Sequence, residues 1–178
     1  PHDGRIVVRI GSHADFTDEQ TSAIDEFCAT YDAVVCCDHT SGYRGKYEVH
    51  GQLVFGQQMW QSSLRNTNLC IHIGEVSGDQ FCVNAKHTWR VSPDGALRDT
   101  FGNLRRVFMM HEIDFFNHYK KKDCNHTEYL DSLNKEIDEI KNKIPNLPFS
   151  NIWMAQQMHD KLPKGCEIHF GIYHSLRS

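Results

Sequence analysis

The segment LCIHIGEVSGD (residues 69–79) contains the glycines and the hydroxyl group that a phosphate-binding turn would use. An apolar run leads into Gly74, and ligands of open parallel sheets sit beyond the carboxyl ends of strands. Gly74, Ser77 and Gly78 are therefore candidate cofactor contacts. The loop lacks both the Gly-Lys-Ser/Thr ending of a nucleoside-triphosphate loop and the three-glycine dinucleotide fingerprint, and its two acidic side chains would repel phosphate. We favour a tight turn by which the chain leaves a buried strand.

Zinc is a second candidate, because the chain has 12 histidines and seven cysteines. The metalloprotease pattern needs two histidines four residues apart, but Phe115 stands four residues after His111. His111 and His118 lie seven residues apart on a predicted helix, roughly 10 Å, which is too far to share one ion. The neighbouring Cys36 and Cys37 point to opposite faces of a predicted strand. We therefore expect ordinary structural histidines and no metal site.

A serine nucleophile is the third candidate. The nucleophile elbow needs Gly-x-Ser-x-Gly, whereas Ser77 comes three residues after Gly74 and one before Gly78, which is the wrong frame. A serine followed by glycine at the end of a strand is typical of a turn. In SPDGALRDTFG, Asp94 is expected to serve a turn and Arg98 to pair locally.

The elements that would position these residues begin with a strand, helix and strand. RIVVRI (residues 5–10) is rich in β-branched residues and is bounded by glycines, which predicts a strand. Thr17 and Gln20 form a capping box for a helix in TDEQTSAIDEFCATY. DAVVCCD (residues 32–38) is an apolar run too short for a helix. Connections this short imply that the two strands are parallel.

The rest of the chain continues the same alternation. A glycine-weakened helix is predicted within residues 49–64. Three further strands are predicted in NLCIHI, AKHTWRV and LRRVFMM, and a sixth in CEIHFGI near the end of the chain. Later helices are predicted in HEIDFFNHYKKK, in EYLDSLNKEIDEIKNKI, and, capped by Ser150, in NIWMAQQMHDKL. Fully apolar strands favour a sheet covered on both faces, so the fold class is α/β: a three-layer Rossmann-like sandwich with a mostly parallel five- or six-stranded sheet.

Composition narrows the class of protein. The chain has 178 residues and a formal charge of −4, with no basic stripe that would favour nucleic acid or an anionic membrane. No apolar stretch approaches the roughly 20 residues of a membrane helix. The seven cysteines are odd in number and mostly lie in apolar runs, so we expect a reduced, cytoplasmic protein. The chain starts at Pro1 and stops soon after a predicted strand, so we expect both ends to belong to a longer protein.

The order of these segments carries a family resemblance. LCIHIGEVSGD, then HTWRVSPDGALRDTFGNLRRVFMMHEIDFF, then LPKGCEIHFGIYHSLRS, resembles the central domain of thiamine-diphosphate-dependent enzymes. The resemblance spans nearly the whole chain and is strongest to the menaquinone-pathway succinyl-enolpyruvyl-hydroxycyclohexene-carboxylate synthase and to acetolactate-synthase-like relatives. It implies a Rossmann-like domain between an amino-terminal pyrimidine-binding domain and a carboxy-terminal diphosphate-binding domain. In some relatives such a domain binds FAD, NAD or ADP, and in others it only packs the outer domains together.

The resemblance also implies where the cofactors of the parent enzyme lie. Members of the family hold thiamine diphosphate between the outer domains of different subunits, through a magnesium ion bound by a Gly-Asp-Gly and asparagine motif. This chain has no Gly-Asp-Gly, and its nearest string is SGDQ. The metal and diphosphate site is therefore expected outside these residues. No cofactor is assigned to the chain itself, while FAD or NAD stays open as a ligand of the Rossmann-like pocket.

The end of the chain implies a substrate contact. CEIHFGIYHSLRS resembles the first strand of the diphosphate-binding domain, where the synthase has Asn-Ser followed shortly by an arginine that meets a substrate carboxylate. Ser175 matches the serine and Arg177 arrives with a shorter spacing, while His174 stands in place of the asparagine. We carry over Ser175 and Arg177 as candidate substrate contacts, since arginine binds carboxylates in bidentate fashion. A strand exit with a surface arginine is the alternative.

These observations predict two parts and one role. Residues 1–147 are predicted to be the central domain, and residues 148–178 to be a linking helix and the first strand of the diphosphate-binding domain, or a last helix and strand of the same unit. The predicted role is a structural domain of a 2-oxo acid decarboxylase or carboligase, a transferase or lyase, that is inactive by itself. Its partners would be the outer domains of the parent chain, in a homo-oligomer, with no nucleic acid or membrane. The alternatives are a free-standing FAD-, NAD- or ADP-binding module and an oligomerisation domain.

Overall fold

One parallel sheet organises the chain. The computed structural model describes residues 4–37, 40–56, 59–76, 83–158 and 161–167. Six strands in these residues form the sheet in the order β3-β2-β1-β4-β5-β6, and every neighbouring pair is parallel. This is the strand order of the doubly wound dinucleotide-binding fold, with its reversal between β1 and β4. The strands are β1 (Ile6–Ile10), β2 (Ala33–Cys37), β3 (Glu48–Val49), β4 (Asn66–Ile73), β5 (Asn84–Val91) and β6 (Leu104–Phe108).

Helices cover both faces of the sheet, as the continuous apolar strands predict. The helices are α1 (Asp18–Tyr31), α2 (Gln52–Phe55), α3 (Glu112–Tyr119), α4 (Glu128–Lys141) and α5 (Asn151–Met158). Apolar side chains of α1 and α3 pack with Ile6, Val8 and Ile10 on one face, and those of α2 and α4 pack with Val7 and Val34 on the other. The predicted three-layer α/β sandwich is therefore confirmed.

Local sequence signals set the helix ends. The Thr17 hydroxyl accepts from the amide of Gln20 at 3.2 Å, and the Gln20 side chain accepts from the amide of Thr17 at 2.9 Å, so the predicted capping box is confirmed. Ser150 accepts from the amide of Trp153 at 3.2 Å, as predicted for α5. Asp32 ends α1 in the left-handed conformation, with φ of 49°.

The prediction of one helix within residues 49–64 is mostly wrong. The chain instead forms the short edge strand β3, the four-residue α2 and a three-residue 3₁₀ turn, Ser63–Arg65. Two glycines interrupt this segment, and Gly51 packs where a Cβ would lie 2.7 Å from the ring of Phe55. The backbone therefore turns tightly at Gly51, and the described residues of this segment form no long helix.

One of the six strands of the sheet is β3, which the sequence did not predict. The predicted strand CEIHFGI is not among the strands of the described residues. Of that segment, Cys166 and Glu167 lie in irregular chain, and residues 168–172 lie outside the described residues. The fold divides into two compact units, residues 1–140 and residues 141–178. The first contains the sheet, and the second contains α5. The assignment of residues 148–178 to the start of another domain stays a prediction.

Among the described residues, none of the helices is both long and apolar enough to span a membrane.

Candidate functional site

The topological switch point lies where β1 and β4 end side by side. Binding sites of doubly wound folds form there, because the chain leaves the two strands in opposite directions and opens a crevice. In this protein, backbone hydrogen bonds join the segment that follows β1 to the segment that follows β4. The amide of Ser12 donates to the carbonyl of Glu75 at 2.8 Å, and the amide of Glu75 donates to the carbonyl of Ser12 at 2.8 Å. The amide of Gly11 also donates to the carbonyl of Ile73 at 3.1 Å.

Two glycines allow this close approach. Gly74 has φ of +72°, and a Cβ there would lie 2.7 Å from the carbonyl oxygen of Ser12. A Cβ on Gly11 would collide with the carbonyl oxygen of Glu75. Both positions therefore exclude side chains for reasons of backbone packing. The amides of Ser12 and Glu75, which a bound phosphate would need, already donate to protein carbonyls.

An ionic cluster stands beside the bridge. We use the name ionic cluster for Glu75, Arg90, Asp94 and Arg98. Arg90, in β5, is only 1% exposed, and its Nη2 lies 3.4 Å from both Glu75 Oε1 and Asp94 Oδ2. Arg98 pairs with Glu75 and lies 3.2 Å from Asp94 Oδ2, which confirms its predicted local pairing. Two carboxylates thus neutralise two guanidinium groups, and the cluster has no excess positive charge to attract a phosphate.

The register of the sheet places Arg90 in a basic row. Arg9 of β1 pairs with His72 of β4, and His72 pairs with Arg90 of β5, so the three side chains share one face of the sheet. All three are buried. The ring of Phe101 lies over the Arg9 guanidinium at 4.6 Å and meets the ring of His72 edge-on at 5.3 Å. This cation–π contact helps to keep the Arg9 charge at a buried position.

A second pair of ionisable groups lies where β1 leads towards α1. His13 Nε2 lies 3.7 Å from Glu112 Oε1, at the first turn of α3, and the His13 ring stacks on Phe16 at 4.3 Å. The neighbouring Glu112 carboxylate raises the pKa of His13, and burial partly opposes this shift. Burial acts to raise the pKa of Glu112, but the neighbouring His13 together with backbone bonding lowers it overall. The pair can hold a proton, and it ties the exit of β1 to α3.

The residues predicted from sequence as site residues are only partly described. Gly74 lies at the switch point, in contact with Ser12. Ser77 and Gly78 lie outside the described residues, as do Ser175 and Arg177 together with His174. Their roles as cofactor and substrate contacts stay predictions. In the described residues, no group of three or more histidine, cysteine or acidic side chains is placed to hold a metal ion.

Sequence reasoning missed the ionic contacts of Arg90 and the pair of His13 with Glu112. The sequence of β5, NAKHTWRV, mixes polar and apolar residues, so it does not mark Arg90 as a buried charge. Asp94 is only four residues from Arg90, but the other partner, Glu75, is 15 residues away. The contact between Arg90 and Glu75 depends on the pairing of β4 with β5. No protein-family model matches the chain, and no curated protein matches it.

Proposed function

We propose that the chain is the central, largely structural domain of a thiamine-diphosphate-dependent enzyme that decarboxylates a 2-oxo acid and transfers the resulting fragment to an acceptor. The order of the motifs supports this assignment, since LCIHIGEVSGD, HTWRVSPDG and the segment after LPKG follow one another as in that family. The parallel sheet with the order β3-β2-β1-β4-β5-β6 agrees with the fold that the family's central domain implies.

The observation that carries the structural role is the bridge between Ser12 and Glu75. A doubly wound fold normally binds its ligand where these two strands diverge. Here backbone groups occupy that position, and the neighbouring charges are paired within the ionic cluster. A domain that has lost this crevice still offers a rigid sheet. We infer that its contribution to the enzyme is to hold the outer domains in position.

The exposed apolar side chains support a role between other domains. In the unit that contains the sheet, Leu97 is 85% exposed and Met109 is 74% exposed, and both follow strands at the carboxyl edge. In the other unit, Phe149 is 81% exposed and none of the side chains of α5 is buried. Exposed apolar side chains mark surfaces that contact other proteins or domains where they form a contiguous patch. We propose the outer domains of the same enzyme, in a homo-oligomer, as the partners.

The cofactors of such an enzyme do not fit the described residues. Thiamine diphosphate and magnesium need several oxygen ligands and a diphosphate site. Two carboxylates beside the switch point, Glu75 and Asp94, are bound to arginines. The described residues therefore supply no step of the decarboxylation. We propose that these cofactors bind to the outer domains and that Ser175 and Arg177 contribute contacts to the substrate carboxylate.

A nucleotide-binding module is the second candidate, and one observation favours it. The strand order of this sheet is that of dinucleotide-binding domains. FAD, NAD or ADP would then bind at the carboxyl edge near Gly74. Binding there would require the two hydrogen bonds between Ser12 and Glu75 to open, which makes this candidate the less favoured one.

Carbon dioxide release tests the proposed function. The 178-residue chain and the longer natural polypeptide that contains it are each supplied with thiamine diphosphate, magnesium and either pyruvate or 2-oxoglutarate. We expect cofactor-dependent release from the longer polypeptide and none from the chain alone. Release by the chain alone would contradict the structural role. A longer polypeptide that neither binds thiamine diphosphate nor releases carbon dioxide would overturn the family assignment.

A further inference from the structure

The edge strand β6 contains an irregularity at two neighbouring arginines. The register pairs Thr88 of β5 with Leu104. The next residue of β5, Trp89, pairs with Arg106, so Arg105 is an extra residue in the ladder. Such bulges are rare between parallel strands, and they re-aim side chains, often beside functional sites. In a regular strand Arg105 and Arg106 would point to opposite faces of the sheet, and the bulge removes this alternation.

Both arginines contact side chains of β5 on a single face of the sheet. Arg105 Nε lies 3.2 Å from His87 Nδ1. The guanidinium carbon of Arg106 lies over the Trp89 ring, 5.6 Å from its centroid. His87 and Trp89 are two residues apart in one strand, so their side chains share a face and are separated by about 7 Å. We use the name arginine pair for Arg105 and Arg106, whose guanidinium groups are held side by side by these contacts.

The contacts of the arginine pair order the guanidinium groups before any ligand binds. The Trp89 ring packs against Phe108 with centroids 5.4 Å apart, so the surface under Arg106 is itself held in place. A guanidinium stacked on an aromatic ring keeps the N–H groups of its edge available for paired, planar hydrogen bonds. Arg105 contacts His87 through Nε, which leaves its terminal nitrogens as donors. A group that is already ordered loses less conformational entropy on binding.

The charges of the arginine pair have no carboxylate partner among the described residues. Both side chains are exposed, and neither takes part in an ion pair there. Asp99 lies close along the chain, but its carboxylate accepts from the amide of Leu104 at 2.9 Å. Arg90 and Arg98, by contrast, each contact carboxylates. Two neighbouring positive charges repel each other, so an anion that contacts both is favoured.

The number of donors and charges indicates which anion fits. A carboxylate carries one negative charge, and a single guanidinium in bidentate contact already occupies both of its oxygens. A phosphate monoester carries a charge of about −1.5 to −2 at pH 7 and has three terminal oxygens. Each charge-assisted N–H···O bond spans about 2.8 Å, so one phosphate can reach two guanidinium groups that are held on neighbouring side chains. The arginine pair therefore matches a phosphate monoester better than a carboxylate.

We propose that the arginine pair is a binding site for the terminal phosphate of a phosphate monoester. Arg105 and Arg106 donate from their terminal nitrogens to the phosphate oxygens, while His87 and Trp89 hold the two guanidinium groups in position. The site lies at the β6 edge of the sheet, whereas the switch point lies between β1 and β4. It does not depend on the proposed function.

A titration followed by nuclear magnetic resonance tests the ligand. The Nε–H signals of Arg105 and Arg106 and the indole N–H signal of Trp89 are recorded while glycerol 3-phosphate replaces sodium chloride at constant ionic strength. We expect saturable shifts of these signals with a dissociation constant on the order of 1 mM or below. Acetate should bind at least tenfold more weakly. No saturable shift with glycerol 3-phosphate would overturn the proposal, and equal affinity for acetate would overturn the assignment of a phosphate.

Substitution of arginine by lysine separates recognition by shape from attraction by charge. Arg106→Lys keeps the charge but removes the planar donor group that lies on Trp89. Arg44→Lys makes the same change at an exposed arginine near the other edge of the sheet, where it pairs with Glu48 of β3. We expect the affinity for glycerol 3-phosphate to fall at least fivefold in R106K and to be unchanged in R44K.

Undiminished binding in a folded R106K variant would overturn the site. Exposed charges and bulges also keep edge strands from pairing with other chains, and that role needs the charge alone. The arginine pair would then have this protective role only.

Discussion

Ser12 and Glu75 exchange two backbone hydrogen bonds of 2.8 Å across the point where the order of the sheet reverses. A parallel sheet needs no such link, because β1 and β4 are already paired over residues 6–10 and 69–73. The bridge extends that pairing beyond the strands in the opposite sense. It therefore joins the two loops that form a ligand crevice in related folds.

Substitution of Gly74 tests what this bridge requires. Gly74→Ala should lower the free energy of unfolding by about 2–3 kcal/mol, because a Cβ meets both a positive φ and the carbonyl of Ser12. Gly102→Ala is a matched control, since Gly102 has φ of +71° and a Cβ there would have no atom within 4 Å. It should cost only about 1 kcal/mol. Urea unfolding measures both, and equal costs would show that the contact with Ser12 adds nothing.

The contacts of the ionic cluster predict that removing Arg90 lowers stability less than removing its two carboxylate partners does. Arg90→Met removes the buried charge, while Glu75 and Asp94 are exposed enough to be hydrated, so stability should fall by only about 1–2 kcal/mol. The double variant Glu75→Gln with Asp94→Asn leaves the buried guanidinium without these two carboxylates. It should therefore unfold at a lower urea concentration than R90M does. The opposite order would mean that Arg90 acts mainly through its packing.

The pair of His13 and Glu112 predicts a dependence of stability on pH. The raised pKa of His13 gives a contribution that is complete below its unfolded value near 6.5 and is lost as the pH rises through its folded value. The lowered pKa of Glu112 gives a contribution that is present above its unfolded value near 4.5 and is lost in acid. The pair should therefore stabilise the fold most between these values, by about 0.5–1 kcal/mol.

Unfolding at pH 6 and at pH 8 measures this pair. The loss of stability between the two pH values should be smaller in Glu112→Gln than in the unsubstituted chain. Glu128→Gln is the control, because it removes a pair of similar length with exposed His126 and should leave the difference unchanged. An identical pH difference in E112Q and the unsubstituted chain would exclude the pair as its source.

Two buried tyrosines donate hydrogen bonds to different kinds of acceptor, one to a carboxylate and the other to a backbone carbonyl. The Tyr43 hydroxyl donates to Asp25 Oδ1 at 2.5 Å, and the Tyr47 hydroxyl donates to the carbonyl of His126 at 3.0 Å. Hydrogen bonds to charged groups contribute more, so Tyr43→Phe should cost about 1.5–3 kcal/mol and Tyr47→Phe about 0.5–1.5 kcal/mol. Thermal or urea unfolding of the two variants gives the ranking, and a larger cost for Y47F would be inconsistent with this account.

The sequence predicted those parts of the fold that local patterns determine. The apolar runs of β1, β2 and β4 are long enough to identify buried strands, and the capping residues Thr17 and Ser150 mark helix starts. The strand β3 has only two residues, Glu48 and Val49, which carry no periodicity. Its position depends on pairing with β2, a contact between distant parts of the chain.

Some features of the candidate site can likewise be predicted from local sequence patterns, and others cannot. Gly74 is predictable as a turn, because a glycine between a buried strand and a polar loop has few other roles. Arg98 and Asp94 are four residues apart, so their pairing is also local. The bridge from Gly74 and Glu75 to Ser12 depends on which strands become neighbours, and local patterns do not determine the order of strands in a sheet. The role of this glycine in joining two loops therefore follows only from the topology.

Thermal unfolding with nucleotides tests most directly the claim that this domain is a scaffold with a closed switch point. The 178-residue chain is melted alone and with excess ADP, NAD, FAD, or thiamine diphosphate with magnesium. A ligand at 100 times its dissociation constant would add about 2.7 kcal/mol, enough to raise the midpoint by several degrees. We predict an unchanged midpoint with all four. A rise with ADP, NAD or FAD that depends on concentration and is altered in Gly74→Ala would contradict the account and show a working nucleotide site.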